Sequence, residues 1–146
     1  MPSHTFVVTL GQRGADTAPP RESRSGGDGD GGGRVVVVDH LPYDDVMPAF
    51  EAVVHHGGAG VAYSAIRAGV PALVHPRDYD QFDFAARIVA AGAGRSTRRP
   101  LDHPVTAQAL RDVLAMDRTR LRALATAAER YDPVAATAAV VERLIG

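Results

Sequence analysis

The stretch Ala52-Val53-Val54-His55-His56-Gly57-Gly58-Ala59-Gly60, followed by a helix-forming segment from Val61 to Ala68, narrows the choice of fold more than any other part of the chain. An apolar run of strand length that breaks at small residues and continues as a helix is a strand-turn-helix unit. The first N–H groups of that helix have no intrahelical partner, and the aligned peptide dipoles make this end positive. Such a turn suits an anion, and a phosphate in particular.

The rest of the pattern extends the unit. Phe6 to Leu10, Arg34 to Asp39, Ala52 to His55 and Pro71 to His75 are compact apolar runs, the second with four consecutive valines, as expected of parallel strands buried on both faces. Helices are predicted at Gly58 to Ala68, Gln81 to Ala91, Ala107 to Met116, Arg118 to Arg130 and Pro133 to Ile145. Asp132 before Pro133 reads as an N-cap followed by proline at the first helical position, and Gly69 and Gly92 as helix stops. Alternating strands and helices give an α/β fold, and 146 residues suffice for one domain over 1–146 with its own core.

Composition excludes several classes. The net charge of −1 lacks the broad positive field of a nucleic-acid binder, so a phosphate must be bound locally. With no cysteine there are no disulfides, thiolate catalysis or zinc-cysteine sites. No apolar run approaches the ~18 to 20 residues of a membrane span and no secretory leader is visible, which points to a cytoplasmic protein. The absence of Lys, Asn and Trp beside abundant Arg, Ala, Gly and Val fits a GC-rich, actinobacterial genome.

Residues 12–34 stand apart. They contain Pro19-Pro20 and the tract from Gly26 to Gly33, with Ala15 and Ala18 as the only apolar side chains. Such a segment buries too little to offset the entropy of ordering it, so a flexible Gly-rich loop is expected over 12–34. No Gly-Lys-Ser/Thr follows to make the glycines a phosphate loop of the P-loop kind.

Downstream of the Gly57 turn, Ala68-Gly69-Val70-Pro71 leads into a strand, and Asp78-Tyr79-Asp80-Gln81 opens the next helix. In an open α/β sheet both turns lie at the carboxyl ends of neighbouring strands and can converge on one ligand. Together with Leu41-Pro42, His75-Pro76 and Ala91-Gly92-Ala93-Gly94, these residues resemble the C-terminal, nucleotide-sugar-binding domain of GT-B glycosyltransferases, and within them the bacterial branch that acts on macrolides and other natural products. The resemblance runs from about Val35 to the C-terminus. It implies a Rossmann-like parallel sheet, the C-terminal half of a GT-B fold with a shortened, disordered N-terminal crossover.

The resemblance also implies roles. His56 contacts the diphosphate, with the N–H groups of Gly58, Ala59 and Gly60 beside it and Gly57 and Val61 also in the phosphate-binding set. Asp80 and Gln81 match an acid-amide pair that grips sugar hydroxyls. His40, in Asp39-His40-Leu41-Pro42, stands where related enzymes stack a ring on the pyrimidine, and Gly11 would approach the phosphates. Val61 replaces the usual Thr or Ser, Phe84 the usual Asn, and Ser64 a Glu that in uridine-specific relatives meets the ribose; a short side chain there suits a thymidine donor.

The expected function is donor binding, a dTDP- or UDP-sugar held for transfer to a small-molecule acceptor. No cofactor and no metal ion is expected. The family's general base and acceptor pocket belong to an N-terminal domain not found here, so no catalytic residue is assigned and an acceptor-binding partner chain is implied. The alternatives are a non-catalytic truncated remnant that still binds nucleotide sugar, and a sugar-nucleotide epimerase, for which the Asp-Gln pair is the poorer fit. At single residues, His56 could serve only to stabilise its turn and Asp80 only to cap its helix. A metal site from His55, His56, His75, Asp78 and Asp80 is disfavoured because adjacent histidines on a strand face opposite sides. Ala123, Leu124, Ala127, Ala128 and Tyr131 read as a core-facing helical stripe.

Overall fold

A computed structural model of the chain describes residues 4–9 and 34–146, and residues 21–24 by their backbone. It divides into two units, 1–42 and 43–146.

In the first unit, β1 (Thr5–Thr9) pairs in parallel with β3 (Arg34–Val38), Phe6 opposite Val35 and Val8 opposite Val37. On the other side of β3 lies β2 (Arg21–Arg24), antiparallel, with Glu22 opposite Val36. These four residues lie within the segment 12–34 expected as a loop. Their sequence has no apolar alternation to announce a strand; pairing with the backbone of the valine strand makes them one. The remainder of that segment up to Gly33 lies outside the described residues. Successive residues Phe6, Val7 and Val8 are all exposed, so β1 shows apolar side chains on both faces.

The second unit carries the βαβ pattern. It opens with two short turns of helix the sequence did not announce, α1 (Tyr43–Val46) and a 3-10 turn (Met47–Ala49), then runs β4 (Val53–His55), α2 (Ala59–Arg67), β5 (Ala72–Val74), α3 (Gln81–Ala90) and β6 (Gly94–Ser96). The three strands are parallel in the order β4-β5-β6. Three helices close the chain: α4 (Pro104–Leu114), α5 (Thr119–Arg130) and α6 (Pro133–Ile145). Helix ends follow the expected chemistry. The Asp132 carboxylate accepts from the N–H groups of Val134 and Ala135, and Gly69 and Gly92 take the left-handed conformation after their helices.

The central strand β5 is buried throughout, as a strand covered on both faces should be. Around it pack Ala62, Ala85, Ile88, Ala93 and Leu121, and a second cluster joins Met47, Ala65 and Val70. Gly94 is required where β6 meets β5, since a Cβ there would collide with the Ala72 carbonyl oxygen. The expected stripe on α5 is rotated: Leu121 is fully buried and Leu124 packs on the core, whereas Ala123, Ala127 and Tyr131 are exposed. Leu121, Leu124 and Ala128 share a face at three- and four-residue spacing, and the bulk of the two leucines sets which face turns inward.

Candidate functional site

β4 delivers two histidines to opposite surroundings. His55 is buried, and its Nδ1 accepts the Gly57 N–H at 3.0 Å. An accepting Nδ1 leaves the ring proton on Nε2, which is buried and has no hydrogen-bond partner among the described residues. Burial, with the neighbouring His56 adding to it, lowers the His55 pKa from 6.5 to about 4, so the ring is neutral. The His55 carbonyl accepts from the His75 N–H at 2.8 Å, which locks the ends of β4 and β5 together. His55 is a structural residue, as the alternation along a strand requires.

His56 is exposed and turns over the start of α2. A Cβ built on Gly58 would lie 2.7 Å from His56 Nε2, so the imidazole occupies the space a side chain would fill, and any larger residue there would displace the ring. Gly58 is the N-cap residue and offers no side-chain cap; the first bond of the helix runs from the Ala62 N–H to the Gly58 carbonyl at 3.1 Å. The N–H groups of Ala59, Gly60 and Val61 precede it in the ladder, and nothing lies within 4 Å of the place where a Gly60 Cβ would be. A ring donor, free N–H groups, a positive helix end and open space therefore meet at one point.

Val61 contributes only its backbone here. Its side chain packs against the Met47, Ala65 and Val70 cluster, so the methyls that replace a hydroxyl serve the core.

The second turn arrives at the same place. Gly57 has φ +102°, a conformation that side chains rarely adopt, and a Cβ on it would come within 3.1 Å of the Gln81 carbonyl oxygen and 3.2 Å of the Gln81 Cβ. Gln81 Oε1 accepts from the N–H groups of Arg77 at 2.9 Å and Asp78 at 3.2 Å. That leaves the amide NH2 to donate elsewhere. Asp80 occupies the N-cap position of α3, yet its backbone is helical and its side chain makes no capping bond. The turn is closed instead by the Gln81 and Phe82 N–H groups donating to the carbonyls of Asp78 and Tyr79. Asp80 is exposed and immediately precedes the Gln81 that meets Gly57.

Other expected residues fall elsewhere. His40 is exposed in the irregular segment that ends the first unit, and Gly11 lies outside the described residues. Ser64 is buried on α2 and donates its hydroxyl to Asp44 Oδ1 at 2.7 Å. His75 is engaged with the Arg99 carbonyl at 2.9 Å. No group of three or more acidic or histidine side chains among the described residues could hold a metal ion.

Sequence reasoning missed Tyr79. It is 92% exposed at φ +39°, unusual for a bulky residue, and it stands immediately before Asp80. Its one signal was an aromatic residue between two aspartates in a turn. The partnership of Asp44 with Ser64 also went unseen.

Several known proteins resemble this chain in sequence and fold. Elloramycin glycosyltransferase ElmGT of Streptomyces olivaceus is 40% identical over 87 residues, 54% of this chain and 23% of its own length. Sterol 3-beta-glucosyltransferase of Candida albicans is 39% identical over 74 residues, 51% of this chain and 5% of its own. The structure of glycosyltransferase VinC in complex with dTDP superposes with a TM-score of 0.65 at 30% identity, covering 79% of this chain and 30% of VinC. SnogD from Streptomyces nogalater shares the fold over 99% of this chain and 43% of its own, with a TM-score of 0.65 and 23% identity. The chain therefore spans less than half the length of each of these relatives. The erythromycin biosynthesis protein CIII-like C-terminal domain model matches residues 29–145. The chain belongs to that family, and with it to the C-terminal, donor-binding domains of GT-B glycosyltransferases.

Proposed function

We propose that this chain binds the nucleoside-diphosphate sugar in a glycosyl transfer, taking a dTDP- or UDP-sugar for a small-molecule acceptor that a separate chain holds. One observation carries the reading. The close approach of Gly57 to Gln81 joins the turn of His56 and the start of α2 to the turn of Asp80 and Gln81; in this reading the first turn takes the anion and the second the sugar. A diphosphate fits the first and a hexose the second: the phosphate oxygens take N–H donors, and the sugar hydroxyls take one acceptor and one donor. His56 and the helix end would also stabilise charge on the departing diphosphate. VinC, a relative of similar fold, has been seen with dTDP.

A cytoplasmic setting accords with this donor class, and no helix among the described residues is long and apolar enough to cross a membrane. Calorimetric titration with dTDP and UDP tests the reading. His56→Ala should lose ~1.5 to 3 kcal/mol of binding free energy, the range for hydrogen bonds to charged groups. Equal affinities of wild type and variant would remove His56 from the phosphate site.

A second reading, a non-catalytic remnant that binds nucleotide sugar without serving transfer, is favoured by Val61, whose side chain packs in the core and offers the site no hydroxyl. It shares the binding prediction and differs in activity.

A further inference from the structure

We infer that Asp44 is the acceptor for the 3′-hydroxyl of the donor's pentose, with Ser64 as its positioning residue. The inference rests on the donor-binding reading above and names a residue which that reading does not use. Ser64 follows Gly60 by just over one turn of α2, about 6 Å along the axis, and residues four apart lie on one face of a helix. A nucleotide whose phosphate sits at the start of α2 has its pentose joined through a single CH2–O linkage, and the pentose hydroxyls lie a comparable distance away.

The sequence leaves that position without a carboxylate, since Ser64 is short and neutral. The fold brings one from another element. Asp44 lies in the short α1, which packs on α2, and the buried Ser64 hydroxyl donates to its Oδ1 at 2.7 Å across 20 residues of sequence. A hydroxyl bonded to a carboxylate is a charge-assisted contact that fixes the acceptor's orientation. Because the Ser64 proton is committed to Asp44, serine cannot also donate to the ligand. The carboxylate keeps unused lone pairs on both oxygens, and Asp44 is exposed, so a ligand can reach them. The 3′-hydroxyl is common to ribose and 2′-deoxyribose, which makes the contact indifferent to the choice between uridine and thymidine.

The test compares dTDP with 3′-deoxythymidine diphosphate, by calorimetry, on the full chain. Wild type should bind dTDP about tenfold more tightly, as expected of a hydrogen bond to a charged acceptor. Asp44→Ala and the isosteric Asp44→Asn should lower the affinity for dTDP and leave that for the 3′-deoxy compound unchanged; Ser64→Ala should reduce the discrimination in part. A wild type that binds both ligands equally, or an Asp44 variant that loses both in equal measure, overturns the inference and leaves donor binding standing. Failure of wild type to bind either ligand overturns donor binding itself, and the inference with it.

Discussion

Gly57 lies against the backbone of Gln81, with room for a Cβ only at 3.1 Å from the Gln81 carbonyl oxygen. This approach joins two turns separated by more than twenty residues, and it depends on glycine twice, for space and for φ +102°. A single methyl therefore tests whether the two turns form one site.

Gly57→Ala should lower stability by ~1 to 3 kcal/mol, the range for backbone held in a sparsely populated region. It should also push the Asp80–Gln81 turn away from the His56 turn. Affinity for a nucleotide sugar is then expected to fall further than affinity for the nucleoside diphosphate alone. Equal losses would mean that the second turn makes no contact with the sugar.

His55 predicts how stability depends on pH. Its folded pKa is lowered from 6.5 to about 4, so the unfolded chain takes up a proton more readily than the folded one. The stability this neutral ring contributes is whole above pH 6.5, declines as pH falls toward 4 and levels off below that, a loss of about 3 kcal/mol at most. In His55→Asn an amide oxygen can still accept the Gly57 N–H but does not titrate. Denaturant unfolding between pH 7 and pH 4 should give a shallower slope for the variant; parallel slopes would place the titrating group elsewhere.

Gly94→Ala should destabilise the chain near the upper end of the ~1 to 3 kcal/mol typical of overpacking. The added Cβ meets the Ala72 carbonyl, and Ala72 belongs to the buried strand β5, which cannot move aside. Gly60→Ala should be neutral or stabilising by comparison, because its Cβ would enter open space. Thermal melts of the two variants give the contrast directly.

What was legible in the sequence follows from the range of the forces involved. The last helix begins and ends as expected because Asp132, Pro133 and the apolar run after them act locally. His55 ends β4 buried and His56, the next residue, is exposed, the alternation of the strand carried one residue past its end. By contrast, α1 and the 3-10 turn after it are too short to show a helical period, and Pro48 obscures them further. β2 reads as loop because Arg21 to Arg24 carry no apolar pattern, and only its neighbour's free edge makes it a strand. The bond between Asp44 and Ser64 depends on how α1 folds back on α2, which no local pattern encodes. Both expected turns of the site were legible, and their contact through Gly57 and Gln81 was anticipated only as a convergence at the carboxyl ends of strands.

Activity separates the two proposed readings. Asp80 and Gln81 can hold a sugar and His56 can stabilise a leaving diphosphate, but inversion at the anomeric carbon also needs an oriented acceptor hydroxyl and a base on the opposite side. Of the titratable groups around these turns, His55 is buried and neutral, His75 is bound to the Arg99 carbonyl and Asp80 is assigned to the sugar, and the remaining carboxylate, Asp78, lies in the sugar-side turn rather than across the anomeric carbon in this reading. Orientation and general-base catalysis each contribute orders of magnitude to the rate. The purified 146-residue chain should therefore show no transfer from a dTDP- or UDP-sugar to any acceptor. Adding an acceptor-binding chain should restore turnover, and Asp80→Ala should abolish the restored activity. Multiple-turnover glycosylation by the chain alone, lost in Asp80→Ala, would show that it carries its own acceptor site and base; no turnover with any acceptor-binding chain, alongside intact dTDP binding, would favour the remnant.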